Sequence, residues 1–131
     1  MMYDVVQSGG RDPLSRKVIG CAIEVHRTMG PGLLESVYEA CLACEFEQHN
    51  IAFKRQVRLP LKYKGRRLGS GFRLDFIIED RLILELKTVD QLMAIHDAQL
   101  LSYMKLSGIR TGLLLNFKTD VIRNGIKRLV L

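Results

Sequence analysis

The chain predicts a mixed α/β fold, a mixed sheet with helices in the order α, α, β, β, β, α, β, β. Three observations predict it. Apolar residues recur at helical spacing through the first fifty positions. From 51 to 86 they alternate with a period of two, as strands do. Near the end, Leu113-Leu114-Leu115 make the continuous apolar run of a strand buried on both faces. With 131 residues, 47% hydrophobic and 26% charged, the composition is that of a globular protein with one core. Collagen, intrinsic disorder and a membrane protein are excluded. Residues 1–11 are expected to be a flexible tail, and 12–131 a single domain.

Asp12-Pro13 is an N-cap with a proline in the first helical turn after it. Ile19, Ala22, Ile23 and His26 carry the first helix to about Thr28, and Gly30-Pro31-Gly32 breaks it. A second helix is expected from about Leu34 to His49, with Leu34, Val37, Tyr38, Cys41, Leu42 and Glu45 on one stripe and Asn50 as its stop. In the β region, Ile51, Phe53, Val57, Leu59, Leu61 and Tyr63 are apolar at odd positions; Phe72, Leu74, Phe76 and Ile78 are apolar at even ones. A two-residue turn at Lys64-Gly65 pairs 63 with 66 and would bring both sets onto one face. Leu82, Leu84 and Leu86 keep even parity. An odd loop, Glu79-Asp80-Arg81, then pairs 78 with 82 and sets Asp75 beside Glu85 on the face opposite the leucines. Asp90 is the expected cap of a third helix over Met93 to Ser107, ended by Gly108. A strand over Arg110 to Phe117, a turn at Asn124-Gly125 and a short strand over Ile126 to Leu131 complete the chain.

The net charge of +6 is unevenly spread. Residues 1–53 hold four basic and seven acidic side chains; residues 54–131 hold 16 and seven. Seven of the basic residues lie between Lys54 and Arg67 with no acid among them. Such a run is either a solvated edge that discourages aggregation or a surface for an anionic backbone. Three cysteines make no disulfide framework and suit a reducing cytoplasm. Cys41-x-x-Cys44 lacks the second pair of a zinc ribbon and reads as small apolar residues on a helix. The N-terminus carries no signal-peptide pattern, and no apolar run approaches the ~20 residues of a membrane span.

Two carboxylates paired across strands are disfavoured unless a positive group lies between them. Lys87, two residues beyond Glu85, is one such group; a divalent cation is a better one. Mg²⁺ accepts a few carboxylates, retains water and is completed by substrate phosphate. Asp75 with Glu85-Leu86-Lys87 therefore makes chemical sense as a phosphodiester hydrolysis site, against the alternative of a salt-bridge ladder on a polar sheet face.

This run resembles the signature of the PD-(D/E)XK nuclease superfamily, although Leu74 stands where the name has proline. Gly32-Leu33-Leu34-Glu35-Ser36-Val37-Tyr38 resembles the motif of the GxxExxY protein family. Ile95-His96-Asp97-Ala98-Gln99-Leu100-Leu101-Ser102-Tyr103 and Gly125-Ile126-Lys127-Arg128 fit the same pattern. The resemblance implies an α-β-β-β-α-β core, here with an extra N-terminal helix and a short C-terminal strand. It implies that Asp75 and Glu85 bind metal, that Glu35 joins them and that Lys87 serves catalysis. Gln99 and Tyr103 match a Q-x-x-x-Y motif and share a helix face with His96. These three, with Tyr38 and the basic Lys62, Lys64, Arg66 and Arg67, are the expected nucleic-acid contacts. The expected function is a cytoplasmic Mg²⁺-dependent nuclease acting on DNA, with Mn²⁺ as a substitute ion. The alternative is a nucleic-acid-binding or assembly module with a vestigial site. The small size leaves room for a homodimer or a protein partner.

Overall fold

Helix formation at the start of the domain is local chemistry. A computed structural model describes the backbone of residues 4–6 and all of residues 12–131. The Asp12 carboxylate accepts hydrogen bonds from the Ser15 N–H (3.3 Å) and hydroxyl (2.6 Å), and Pro13 opens helix α1, Pro13–Met29. Leu14, Val18, Cys21, Ala22 and Val25 form its buried stripe. Helix α2, Glu35–Gln48, buries Tyr38, Leu42, Ala43 and Phe46. Leu34, expected on that stripe, is instead 73% exposed at the N-cap.

The strands are β1 (Asp4–Val6), β2 (Phe53–Leu59), β3 (Lys62–Tyr63), β4 (Arg66–Arg67), β5 (Phe72–Ile78), β6 (Leu82–Lys87), β7 (Thr111–Asn116) and β8 (Ile126–Val130). Six form one sheet in the order β1-β8-β7-β6-β5-β2, with β6 and β7 parallel and the other pairs antiparallel. Helix α3, Ala94–Ser107, makes the crossover between the parallel strands. Asp4–Val6 were expected within a tail; they form an edge strand on β8, and the rest of 1–11 lies outside the described residues.

Helices α1 and α2 cover one face of the sheet, packing on Phe76, Ile78, Leu82, Leu84, Leu86, Leu113 and Leu115. Helix α3 covers the other, with Ile83 and Leu114 beneath Leu100 and Met104. The central strand β6 is therefore apolar on both sides, apart from Glu85 and Lys87. Among the described residues, no helix is long and apolar enough to cross a membrane.

The expected register holds where the strands pair: Ile78 faces Leu82 around a three-residue loop, and Tyr63 faces Arg66 around Lys64-Gly65. The expectation of a single apolar face does not. Arg55 pairs with Phe76 and Val57 with Leu74, but Gln56 and Asp75 between them do not pair, and Gln56 has a φ of 49°. Both strands turn over at this point. Phe53, Phe76 and Ile78 face α1 and α2, whereas Val57, Leu59, Phe72 and Leu74 join the α3 side. The register is the same on both sides of this gap, so no residue is inserted; the left-handed Gln56 itself accompanies the overturn. Asp90 does not cap α3. Met93 is the N-cap residue, and Asp90 pairs with Lys118 at 2.6 Å.

Candidate active site

The β5–β6 ladder runs through Ile78–Leu82, Ile77–Ile83 and Phe76–Leu84 and then stops. The next residues in register are Asp75 and Glu85. Here the side chains take over from the backbone. The Asp75 N–H donates to Glu85 Oε1 at 3.2 Å, and the Leu86 N–H donates to Asp75 Oδ2 at 2.8 Å. Two carboxylates thus satisfy the N–H groups that the parting strands leave open. Glu85 is 6% exposed and Asp75 half-buried.

This arrangement is electrostatically strained. Burial first, and then the Asp75 charge, push Glu85 up to about 9. Burial also raises Asp75, against a lowering by its bond from Leu86 N–H. Both groups are thereby pushed towards their neutral forms, and a cation nearby would favour the ionised ones.

Lys87 lies two residues beyond Glu85, on the same side of β6. Its Nζ donates to Gln99 Oε1 at 3.3 Å, and the Gln99 side chain lies near the Tyr103 hydroxyl. The backbone of Lys87 is fixed as well: it pairs with Asn116 in β7, and the Phe117 N–H donates to its carbonyl at 2.9 Å. On the other flank, Glu35 and Asp75 line a cavity of about 300 Å³ with Ser36, Glu39, Gln56 and Leu86. Partial burial raises Glu35, and the Asp75 charge raises it further.

Glu35, Asp75, Glu85, Lys87, Gln99 and Tyr103 are therefore brought into one neighbourhood, at the seam where β5 parts from β6. They do not close into a cage. Among the described residues, no three His, Cys, Asp or Glu side chains stand close enough together to hold a metal ion. The tight unit is the Asp75–Glu85 pair, and Glu35 stands back at the rim.

Other expected contacts sit elsewhere. Tyr38 is not available to a nucleic acid. It is fully buried and stacked on Phe117 at 4.3 Å. Its hydroxyl donates to Gly30 O (2.5 Å) and accepts from the Leu33 N–H (3.0 Å), so it locks the loop that precedes Glu35. The Tyr103 ring is likewise buried, against Phe72. His96 Nδ1 accepts from the Met93 N–H at 2.9 Å and helps to start α3. Lys62, Lys64, Arg66 and Arg67 stand exposed on the β3–β4 hairpin, which forms a sheet separate from the one that carries the carboxylates.

Three contributors were missed from sequence. Glu39 lies one turn after Glu35, so its helix face was readable. It accepts from Arg55 (3.0 Å) and from Gln56, and ties α2 to the kink beside Asp75. Gln56 carried no signal, since its left-handed conformation is set by tertiary packing. Asn116, within the strand expected over Arg110 to Phe117, is a buried clip. Its Oδ1 accepts from the Val89 N–H (3.1 Å) and its Nδ2 donates to Val89 O (2.8 Å). A larger hollow, about 590 Å³ around Cys21 and His49, contains none of these residues.

A model of the family described as the PD-(D/E)XK nuclease superfamily matches residues 12–129, nearly the whole chain. Searches of curated proteins and of solved structures found no match.

Proposed function

The chain belongs to the PD-(D/E)XK nuclease superfamily, and on that premise we propose that it is a Mg²⁺-dependent nuclease that hydrolyses DNA phosphodiester bonds at the β5–β6 seam. Nucleases of this superfamily generally use divalent metals. The observation that carries the reading is the opened ladder. Two adjacent carboxylates are held there by backbone N–H groups, with a lysine two residues on.

The donor set fits the ion. Mg²⁺ prefers hard oxygen ligands, usually one or two carboxylates, with water and substrate phosphate in the remaining positions. Asp75 and Glu85 supply two carboxylates, and the raised pKa of each marks a place short of positive charge. Mn²⁺, also an oxygen-seeking ion, is expected to substitute. When bound, such a cation polarises the scissile phosphate and lowers the pKa of a bound water.

The chain's own residues do the rest. Asp75 and Glu85 are pre-oriented by the Leu86 and Asp75 N–H groups, so they need not reorganise to bind. Gln99 steadies the Lys87 ammonium, which then orients the attacking water or balances the negative charge that grows on the phosphate oxygens. Glu35, facing Asp75 across the cavity, holds a water or an outer ligand.

The test is cleavage of plasmid and oligonucleotide DNA with Mg²⁺ or Mn²⁺. Asp75→Asn and Lys87→Ala are each expected to lower the rate by about 10²- to 10³-fold. Undiminished cleavage in both variants would refute the assignment. Tight binding without cleavage in either ion would assign the chain to nucleic-acid binding with a vestigial site.

A further inference from the structure

The β3–β4 hairpin is the feature of this molecule that the proposed chemistry leaves unexplained. It leaves the six-stranded sheet and forms a two-stranded sheet of its own. The Leu68 N–H donates to Leu61 O at 2.9 Å and closes its stem. Pro60 stands on one side of the base and Gly69-Ser70-Gly71 on the other. Gly71 has a φ of 76°, and a Cβ there would lie 2.2 Å from Leu59 O. The two arms of the base thus cross at a distance that only glycine permits, and the hairpin is directed outwards as a unit.

Its charge is unmet. Lys54 is paired with Asp80, Arg55 with Glu39, Lys118 with Asp90, Lys127 with Asp97 and Arg128 with Asp12. No ion pair among the described residues involves Lys62, Lys64, Arg66 or Arg67. Lys62 even lies directly opposite Arg67 across the strands, a like-charge pairing that costs stability. A cluster that repels itself needs a polyanion to be at ease.

An aromatic ring sits at its centre. Tyr63 is paired with Arg66, and the Lys64 ammonium lies 5.4 Å from its ring centroid. It is 59% exposed, whereas Tyr38 and Tyr103 are buried. Every described phenylalanine is buried or partly buried. A tyrosine set among cations and presented to solvent is the combination that binds single-stranded nucleic acid. Duplex bases hide their faces in the stack, so only an unpaired base can use it.

We infer that this hairpin is a clamp for a nucleic-acid strand, in which Tyr63 stacks on an unpaired base while Lys62, Lys64, Arg66 and Arg67 hold the phosphates. The inference rests on the proposed nuclease function and narrows its substrate to one with single-stranded character. Arg67 is eight residues from Asp75 along the chain, so extended chain at ~3.3 Å per residue puts it no more than roughly 26 Å from the seam.

The experiment is an anisotropy titration in chelator, where no cleavage can occur. The probes are a fluorescein-labelled single-stranded oligonucleotide and the blunt duplex of the same sequence, at several salt concentrations. Wild type is expected to bind the single strand more tightly. Tyr63→Ala should weaken single-strand binding by about 5- to 100-fold with an unchanged salt slope, and Tyr63→Phe should restore it. Duplex binding should change less than about twofold. Lys62→Ala/Arg66→Ala should make the salt slope shallower by about one to two for both probes. Thermal melts establish that each variant is folded. Unchanged single-strand binding in Tyr63→Ala, or an equal loss on both probes, overturns the clamp. If cleavage still depends on Asp75 and Lys87, only the clamp has then failed. Absence of single-strand binding by wild type also overturns the clamp, whereas cleavage that does not depend on Asp75 and Lys87 overturns the nuclease reading.

Discussion

Asp75 and Glu85 pose the central question at the scale of single residues: why does a fold retain two carboxylates that repel each other? Burial raises both, and the Asp75 charge pushes Glu85 further, up to about 9. A carboxyl whose folded pKa lies above its unfolded value contributes stability that is full below the unfolded pKa, about 4.5, and is lost as pH rises towards the folded one. The metal-free protein should therefore lose stability between about pH 5 and 9, on the order of a few kcal/mol. Glu85→Gln keeps the acceptor for the Asp75 N–H but removes the titration. Denaturant melts across this range should show a falling midpoint in wild type and a nearly level one in Glu85→Gln. Mg²⁺ should flatten the wild-type profile by stabilising the ionised pair at the alkaline end. A wild-type profile as level as that of the variant would mean that the pair is not strained.

The site also depends on how whole elements are held, and the loop from β6 to α3 is held by one side chain. Asn116 satisfies both the N–H and the carbonyl of Val89 from the end of β7. Gly125 packs on it so closely that a Cβ would stand 2.3 Å from the Asn116 carbonyl oxygen. Asn116→Ala would leave two buried backbone groups without partners, a cost on the order of 2 kcal/mol. Its melting temperature should fall, and the Val89 amide should lose protection in hydrogen exchange while amides of α1 keep theirs. Protection retained at Val89 would show that the loop does not rely on the clip. Much at this scale was legible in the sequence. Parity alone placed Ile78 opposite Leu82, because a one-residue slip would have buried the charged side. The Lys64-Gly65 turn and the Asp12 cap arise from residues that favour those conformations. The overturn at Gln56 and Asp75 was not legible, since no residue type there calls for it. Asp90 misled for a similar reason: an aspartate before a helical stretch satisfies the cap rule, but Lys118, distant in sequence, takes it. The role of Tyr38 was hidden as well, because its loop contacts are made only once α1 and α2 have packed.

Across the whole molecule, the chain separates two electrostatic tasks that its +6 net charge conceals. Four exposed basic side chains with no ion pair among the described residues gather on the β3–β4 hairpin, while the seam keeps Glu35, Asp75, Glu85 and Glu39 around a single lysine. In the proposed nuclease, the hairpin would attract a phosphate backbone and the seam would repel the phosphate that enters it. This opposition makes strand binding and cation binding mutually dependent, since a cation is needed where the protein itself supplies too little positive charge. In chelator, the residual negative charge of the Asp75–Glu85 pair should oppose DNA. The double variant Asp75→Asn/Glu85→Gln should then bind DNA more tightly than wild type, although it cannot cleave. A unit charge about 4 Å from a phosphate in water is worth ~1 kcal/mol, so the gain should be about fivefold. Adding Mg²⁺ to Lys87→Ala, which keeps both carboxylates but is expected to cleave slowly, should tighten its binding towards that of the double variant and leave the double variant nearly unchanged, which an anisotropy titration with a labelled duplex can track. If the variant binds no better in chelator, the phosphate does not approach these carboxylates, and the seam is not where the strand enters.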